Sequence, residues 1–125
     1  MSGNRYLLDT NAIVALLAGD KDVSVLLKPA TWVGISIISS IEFLAFPELT
    51  PADALVFKDF ESMVNVCDLS HFNSSLIGRI ASLRSSTRLK LPDCIVSATA
   101  VENNAVLVTR DTQLLSCTEI PALSW

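Results

Sequence analysis

Leu91-Pro92-Asp93-Cys94-Ile95-Val96-Ser97-Ala98-Thr99-Ala100 is followed, after Asn103-Asn104, by Ala105-Val106-Leu107-Val108-Thr109-Arg110-Asp111. The first run opens on Pro-Asp, a helix start, and ends at Asn-Asn, a helix stop, which predicts a helix over Pro92–Asn103. The second is a short, nearly continuous apolar run, as expected of a strand over Ala105–Thr109 covered on both faces of a parallel sheet. The same alternation extends towards the other end of the chain. β-rich runs cover Arg5–Asp9, Trp32–Ser36 and Val64–Asp68, with a candidate fifth at Thr118–Ile120. Helical spacing marks Asn11–Ala18, Pro51–Met63 and His71–Ser86, and a shorter apolar helical stretch lies at Val23–Leu27 before Pro29. Strands alternating with helices imply right-handed crossovers. The expected fold is α/β, a single Rossmann-like domain over residues 1–125, with a central parallel sheet of four to five strands flanked by helices.

The chain has 125 residues, of which 50% are hydrophobic and 18% charged, with a mean hydropathy of +0.48. That composition argues against disorder. No apolar run approaches the roughly 20 residues of a membrane span, so no membrane role is expected. The apolar excess is assigned to a core and to an interface with a partner. Thirteen acids against nine bases give a net charge of −4, which taken alone speaks against a general nucleic-acid binder. Met1-Ser2-Gly3-Asn4-Arg5 lacks the long apolar region of a secretion signal, so the protein is expected to be cytoplasmic. Cys67, Cys94 and Cys117 are widely spaced and form no CxxC pair, which fits reduced, mostly buried thiols better than a zinc site.

In an open parallel sheet, ligands bind beyond the carboxyl ends of the strands. Asp9 ends the first strand, and Asp111 lies two residues past the fourth. Asp93 opens the helix before that strand, so a helix–strand unit brings Asp93 and Asp111 to one end. Glu42 follows the second strand and is the only charge between Trp32 and Phe46. Simpler roles exist for each. Asp9, Asp93 and Asp111 are all good capping residues for the helices they precede. Glu42 is either an exposed side chain or, if buried, paired, protonated or metal-bound. Acids gathered at one sheet edge repel one another unless a cation neutralises them. An all-oxygen set with no His or Cys suits Mg²⁺ or Mn²⁺.

The pattern Leu8-Asp9-Thr10-Asn11, then Glu42, then Asp93-x-x-Ile-x-x-x-Ala with a small residue at Ser97, then Thr109-x-Asp111, resembles the PIN-domain ribonucleases. In size the chain looks most like the VapC-type toxins of toxin–antitoxin pairs. The resemblance runs from Arg5 to about Ile120. It implies a PIN-like fold and a Mg²⁺- or Mn²⁺-dependent endoribonuclease holding one or two ions, with water as nucleophile and 5′-phosphate and 3′-hydroxyl products. It makes Asp9, Glu42, Asp93 and Asp111 the catalytic, metal-binding acids, with Asp9 and Asp93 as direct ligands. Thr10, Asn11 and Thr109 would line the cleft. An aromatic residue common in this family after Thr-x-Asp is absent from Thr112-Gln113-Leu114-Leu115, a change expected to affect packing more than chemistry. The resemblance also implies a homodimer and a cognate antitoxin that lies in hydrophobic grooves and points an Arg at the acids. Val23–Leu27 and Phe43-Leu44-Ala45-Phe46-Pro47 are the stretches too apolar for ordinary surface.

The positive charge is not evenly spread. Arg79, Arg84, Arg88 and Lys90 form a +4 segment without an acid, leaving −8 on the rest of the chain. That segment runs into Asp93, and Arg110 sits beside Asp111. These five are candidate RNA phosphate contacts, against the alternative of a solvated helix face. His71, the only histidine, reads as a helix-start residue, and Trp32 and Phe43 read as core, leaving no stacking platform for a base. Two other readings compete: a non-catalytic PIN-like scaffold or RNA-binding subunit, and a receiver-like phosphoacceptor domain. A DNA-directed nuclease of the same fold is a third. The receiver reading needs an acid pair after the first strand and a Lys after the fifth. Asp9 stands alone there, and although Asp68 imitates the phosphoacceptor, no suitable Lys follows it.

Overall fold

The computed structural model describes residues 4–125. Met1–Gly3, part of the N-terminal reading above, lie outside the described residues. The elements run β1 (Arg5–Leu8), α1 (Thr10–Leu17), α2 (Lys21–Leu27), β2 (Trp32–Ser36), α3 (Ile37–Leu44), α4 (Pro51–Met63), β3 (Asn65–Cys67), α5 (Ser74–Ser86), α6 (Leu91–Glu102), β4 (Val106–Val108), α7 (Thr112–Leu115) and β5 (Ala122–Leu123). The five strands form one fully parallel sheet in the order β3-β2-β1-β4-β5. The chain lays β2 and β3 down on one side of β1, then crosses back to place β4 and β5 on the other. The order reverses between β1 and β4, which is where such sheets open a crevice.

Local chemistry explains where elements stop. Helix α1 ends in a Schellman turn: Gly19 takes φ +87°, and the Gly19 and Asp20 amides return to the Leu16 and Ala15 carbonyls. Asp20 then caps α2 through the Asp22 and Val23 amides. Helix α4 carries a capping box between Thr50 and Asp53, with Pro51 opening the helix. The Asn-Asn stop works as read: Asn104 is left-handed (φ 52°), and the Ala105 amide closes on the Ala100 carbonyl at 2.9 Å.

Three expectations are corrected. Thr118–Ile120 is a turn whose Ile120 amide bonds back to the Cys117 carbonyl, and the fifth strand is Ala122–Leu123, after Pro121. Proline has no N–H for a ladder, so pairing begins after it. Helix α5 starts at Ser74, not His71, because the Asn73 side chain caps it through the Leu76 amide. His71 lies in the turn before that cap, with its ring against Phe72.

Alternation along the strands splits the core. Leu7 and Leu107 join the α5–α6 side with Leu76, Ile80, Leu83 and Ile95. Leu8, Ile35 and Val108 join the other with Ile13, Phe43, Phe57 and Phe60, and the Phe43 and Phe57 rings stack at 4.3 Å. Cys94 is buried, while Cys67 and Cys117 are half-buried. Among the described residues no helix is long and apolar enough to cross a membrane. On β2 the Trp32 indole folds across Gly34, and a Cβ at Gly34 would collide with that ring. The Arg5 guanidinium covers the indole at 4.6 Å. Gly34→Ala is therefore expected to cost about 1–3 kcal/mol by overpacking, read as a lower urea midpoint with m unchanged.

Candidate active site

β1 and β4 deliver their residues to the crevice side by side. The Asp9 amide extends the ladder to the Val108 carbonyl at 3.0 Å, so Asp9 and Thr109 emerge together. Asp9 is 8% exposed and Thr109 wholly buried. The Thr109 hydroxyl donates to Asp9 Oδ2 at 2.8 Å and accepts the Asp111 amide at 3.0 Å. Asp9 Oδ1 accepts the Thr10 amide at 2.9 Å, so Asp9 does cap α1. Asn11 closes the ring. Its amide donates to Thr109 Oγ1 at 3.4 Å, and its Oδ1 accepts the Arg110 backbone N–H at 3.3 Å.

Glu42 is exposed, so the constraint of a buried lone acid does not apply to it. It is placed by a hydrogen bond instead: the Thr10 hydroxyl donates to Glu42 Oε1 at 2.8 Å. Its helix α3 packs on α6, and the small, fully buried Ser39 and Ser97 lie on these two helices. Asp93 is not the cap of α6. That position belongs to Lys90, and Asp93 sits in the first turn, half-buried. No described residue donates a hydrogen bond to its carboxylate, which removes the simplest structural explanation for it. Asp111 caps α7 through the Gln113 amide at 2.9 Å.

Electrostatics ties the four acids together. Burial pushes the Asp9 carboxyl above the usual range, hydrogen bonds from Thr109 and Thr10 pull it back, and the charges of Glu42 and Asp111 push it up again. Burial also pushes Asp93 up, reinforced by Asp111, Asp9 and Glu42 and opposed by Lys90. Among the described residues no three His, Cys, Asp or Glu side chains close round one point. Four mutually repelling carboxylates with one opposing lysine are nonetheless a donor set that a hard divalent cation would relieve.

The basic residues separate. Lys90 lies at the start of α6 beside Asp93, Arg88 is exposed two residues earlier, and Arg110 is exposed between Thr109 and Asp111. Arg84 is turned to the loop instead, donating to the Leu89 carbonyl at 3.3 Å. Arg79 pairs with Glu102 at 2.9 Å, nine residues along α6 from Asp93. That is about 13 Å of helix, so Arg79 does not reach the cleft. Phe43 is core as expected, and Trp32 is half-buried against the other core cluster, on the α5–α6 side of the sheet. One aromatic near the site was not anticipated. The Arg110 guanidinium lies 4.3 Å over the Trp125 ring, and it donates to the Trp125 carbonyl at 3.2 Å. Nothing short of knowing the two-residue strand β5 would have put Trp125 there. Leu114, in the segment that follows Thr109-x-Asp111, is fully buried in the core.

Comparison with known proteins agrees with this architecture. Residues 6–118 match the PIN domain family. No curated protein matches the chain. Among solved structures, a toxin–antitoxin complex from Klebsiella pneumoniae is 25% identical, with a TM-score of 0.78 over 94% of this chain and 95% of that one. VapBC2 from Rickettsia felis, bound to a DNA fragment from its promoter, is 18% identical with a TM-score of 0.77, covering 97% and 98%. VapBC-1 from nontypeable Haemophilus influenzae is 22% identical with a TM-score of 0.69, covering 97% and 98%.

Proposed function

Since the chain belongs to the PIN domain family, we propose that it is a metal-dependent endoribonuclease and the toxin of a toxin–antitoxin pair. The observation that carries this reading is Asp93. It is a half-buried carboxylate that caps nothing, accepts no hydrogen bond from a described residue, and is pushed up by burial and then by three other acids. Asp9 and Asp93 would hold Mg²⁺ or Mn²⁺, as one or two ions, with Glu42 and Asp111 completing the set. Bound there, the metal supplies an activated water and Lewis-acid stabilisation of the phosphoryl oxygens.

The chain's own residues do the rest. The Thr109 hydroxyl fixes Asp9 Oδ2 and the Thr10 hydroxyl fixes Glu42, so two of the acids are oriented before substrate arrives. Asn11 ties the exit of β4 to the start of α1. Arg88, Lys90 and Arg110 would meet the phosphates of the RNA strand, and their charge offsets the acidic balance of the chain where it matters.

The partner reading rests on two apolar depressions. One, of about 320 Å³, lies between α1, α3 and α4 and is lined by Val14, Leu17, Phe43, Phe46, Leu49 and Val56, with Glu48 and Asp53 at its edge. It suits an amphipathic antitoxin segment carrying basic residues. The other, on α5 and α6, presents Leu69, Ile77 and Leu91 and suits the homodimer contact. The Klebsiella pneumoniae structure named above is a toxin–antitoxin complex, which supports the pairing. The direct test is purified protein on RNA with Mg²⁺, with EDTA, and as Asp9→Asn. Cleavage is expected only in the first, with 5′-phosphate ends. Cleavage that survives EDTA would remove the metal from the reading.

A further inference from the structure

Arg110 is the cation between Thr109 and Asp111 in sequence, and its side chain is held in place. It lies between Thr109, whose hydroxyl bonds Asp9, and Asp111, whose amide bonds Thr109. Yet among the described residues the only ion pair is Arg79 with Glu102, so Arg110 is not neutralised by the carboxylates beside it. What holds it is Trp125. The guanidinium carbon sits 4.3 Å over the indole, and one guanidinium nitrogen donates to the Trp125 carbonyl at 3.2 Å. The indole in turn packs on the core beside Leu123, and β5 is pinned to the exit of β4 by the Thr109 amide on the Leu123 carbonyl at 3.0 Å. An arginine lying on an aromatic face keeps in-plane N–H donors free, and little side-chain entropy is left to lose when they meet a phosphate.

We propose that Trp125 is a positioning residue that seats Arg110 at the lip of the carboxylate cleft as a fixed phosphate contact for the RNA strand. Lys90, at the cap of α6 beside Asp93, and Arg88, in the loop before it, are the other cations the strand would meet. The proposal rests on the nuclease reading above, and its test separates the two. Trp125 carries a buried indole N–H with no partner. Trp125→Phe removes that unpaired donor while weakening the cation–π seat, so it divides a packing role from a seating role.

The experiment measures binding of a fluorescein-labelled, mixed-sequence oligoribonucleotide across a KCl series, in a cleavage-silent Asp93→Asn background. Arg110→Ala and Trp125→Ala are each expected to weaken binding about tenfold and to lower the salt slope by about one. Trp125→Ala is expected to add nothing once Arg110 is alanine, and Trp125→Phe to lose affinity without losing Tm. Additive effects, or a Trp125→Ala variant with unchanged affinity and slope, overturn the proposal. If the wild type cleaves RNA and these variants bind like their parent, the seat fails and the nuclease stands. If the coupled loss is seen but the wild type cleaves no RNA, the seat stands and the nuclease reading fails. Absence of RNA binding by the parent overturns both.

Discussion

Asp93→Asn is expected to reduce cleavage by about 100-fold or more while raising the Tm of the metal-free protein. The first effect follows from losing one charge of the set that would hold the cation, on the scale of removing one transition-state stabiliser. The second follows from the repulsion described above. In the folded chain the Asp93 carboxyl is pushed up by burial and by Asp111, Asp9 and Glu42. A folded-state pKa above the unfolded value means that the folded state holds more protons between the two. The contribution of such a group is therefore intact in acid and is lost as pH rises through the folded value. At neutral pH the penalty is complete, and asparagine removes it. The gain should fade below the ordinary aspartate range, which a pH series of thermal melts reads. Added Mg²⁺ should raise the Tm of the wild type and do so less for Asp93→Asn. A variant that keeps more than roughly a tenth of the cleavage rate would place Asp93 outside the chemistry.

The second large effect is expected at Thr109. Thr109→Val keeps the shape of the side chain and deletes the hydroxyl that serves Asp9 Oδ2, the Asp111 amide and Asn11. The site is wholly buried, so water cannot replace it freely. A hydrogen bond to a charged group and an orphaned amide together are worth about 2–3 kcal/mol, a large share of a domain's stability. The Thr109 bond is also the stronger of the two that hold the Asp9 carboxyl down. Without it that carboxyl moves further up, and the acid limb of the cleavage profile should shift to higher pH. Thr109→Ser should restore most of both. Urea unfolding that ranks the valine and serine variants equal would contradict the network.

Much of this was legible before any coordinates. The buried strand Val106–Val108 and the helix before it are marked by chemistry that is local: Pro-Asp at one end, left-handed Asn104 at the other. The parallel sheet they imply puts Asp9 and Asp111 beyond its carboxyl edge, while the strand order, with its reversal between β1 and β4, is set by pairing that no local pattern shows. Other features depended on contacts that no local pattern encodes. A two-residue strand such as Ala122–Leu123 has no periodicity to read, and it alone carries Trp125 to Arg110. Arg79 and Arg84 belong to the same basic segment as Arg88, farther along the chain from Asp93. Only the rotation of α5 turns Arg79 to Glu102 and Arg84 to the Leu89 carbonyl. Asp93 looked like a cap because aspartate usually is one there, and the helix instead begins at Leu91, one residue before the Pro-Asp signal, with Lys90 at the cap.

The bond between Thr109 and Asp9 joins residues 100 positions apart. During synthesis the first acid leaves the ribosome long before the hydroxyl that orients it, and Asp111 follows later still. A nascent chain that ends before Val106 lacks β4, and with it the neighbour that β1 needs on that side. A ribosome-held fragment ending before Ala105 should therefore be silent on RNA, its own message included. Under the nuclease reading proposed above, this order of emergence would delay competence until almost the whole protein is present.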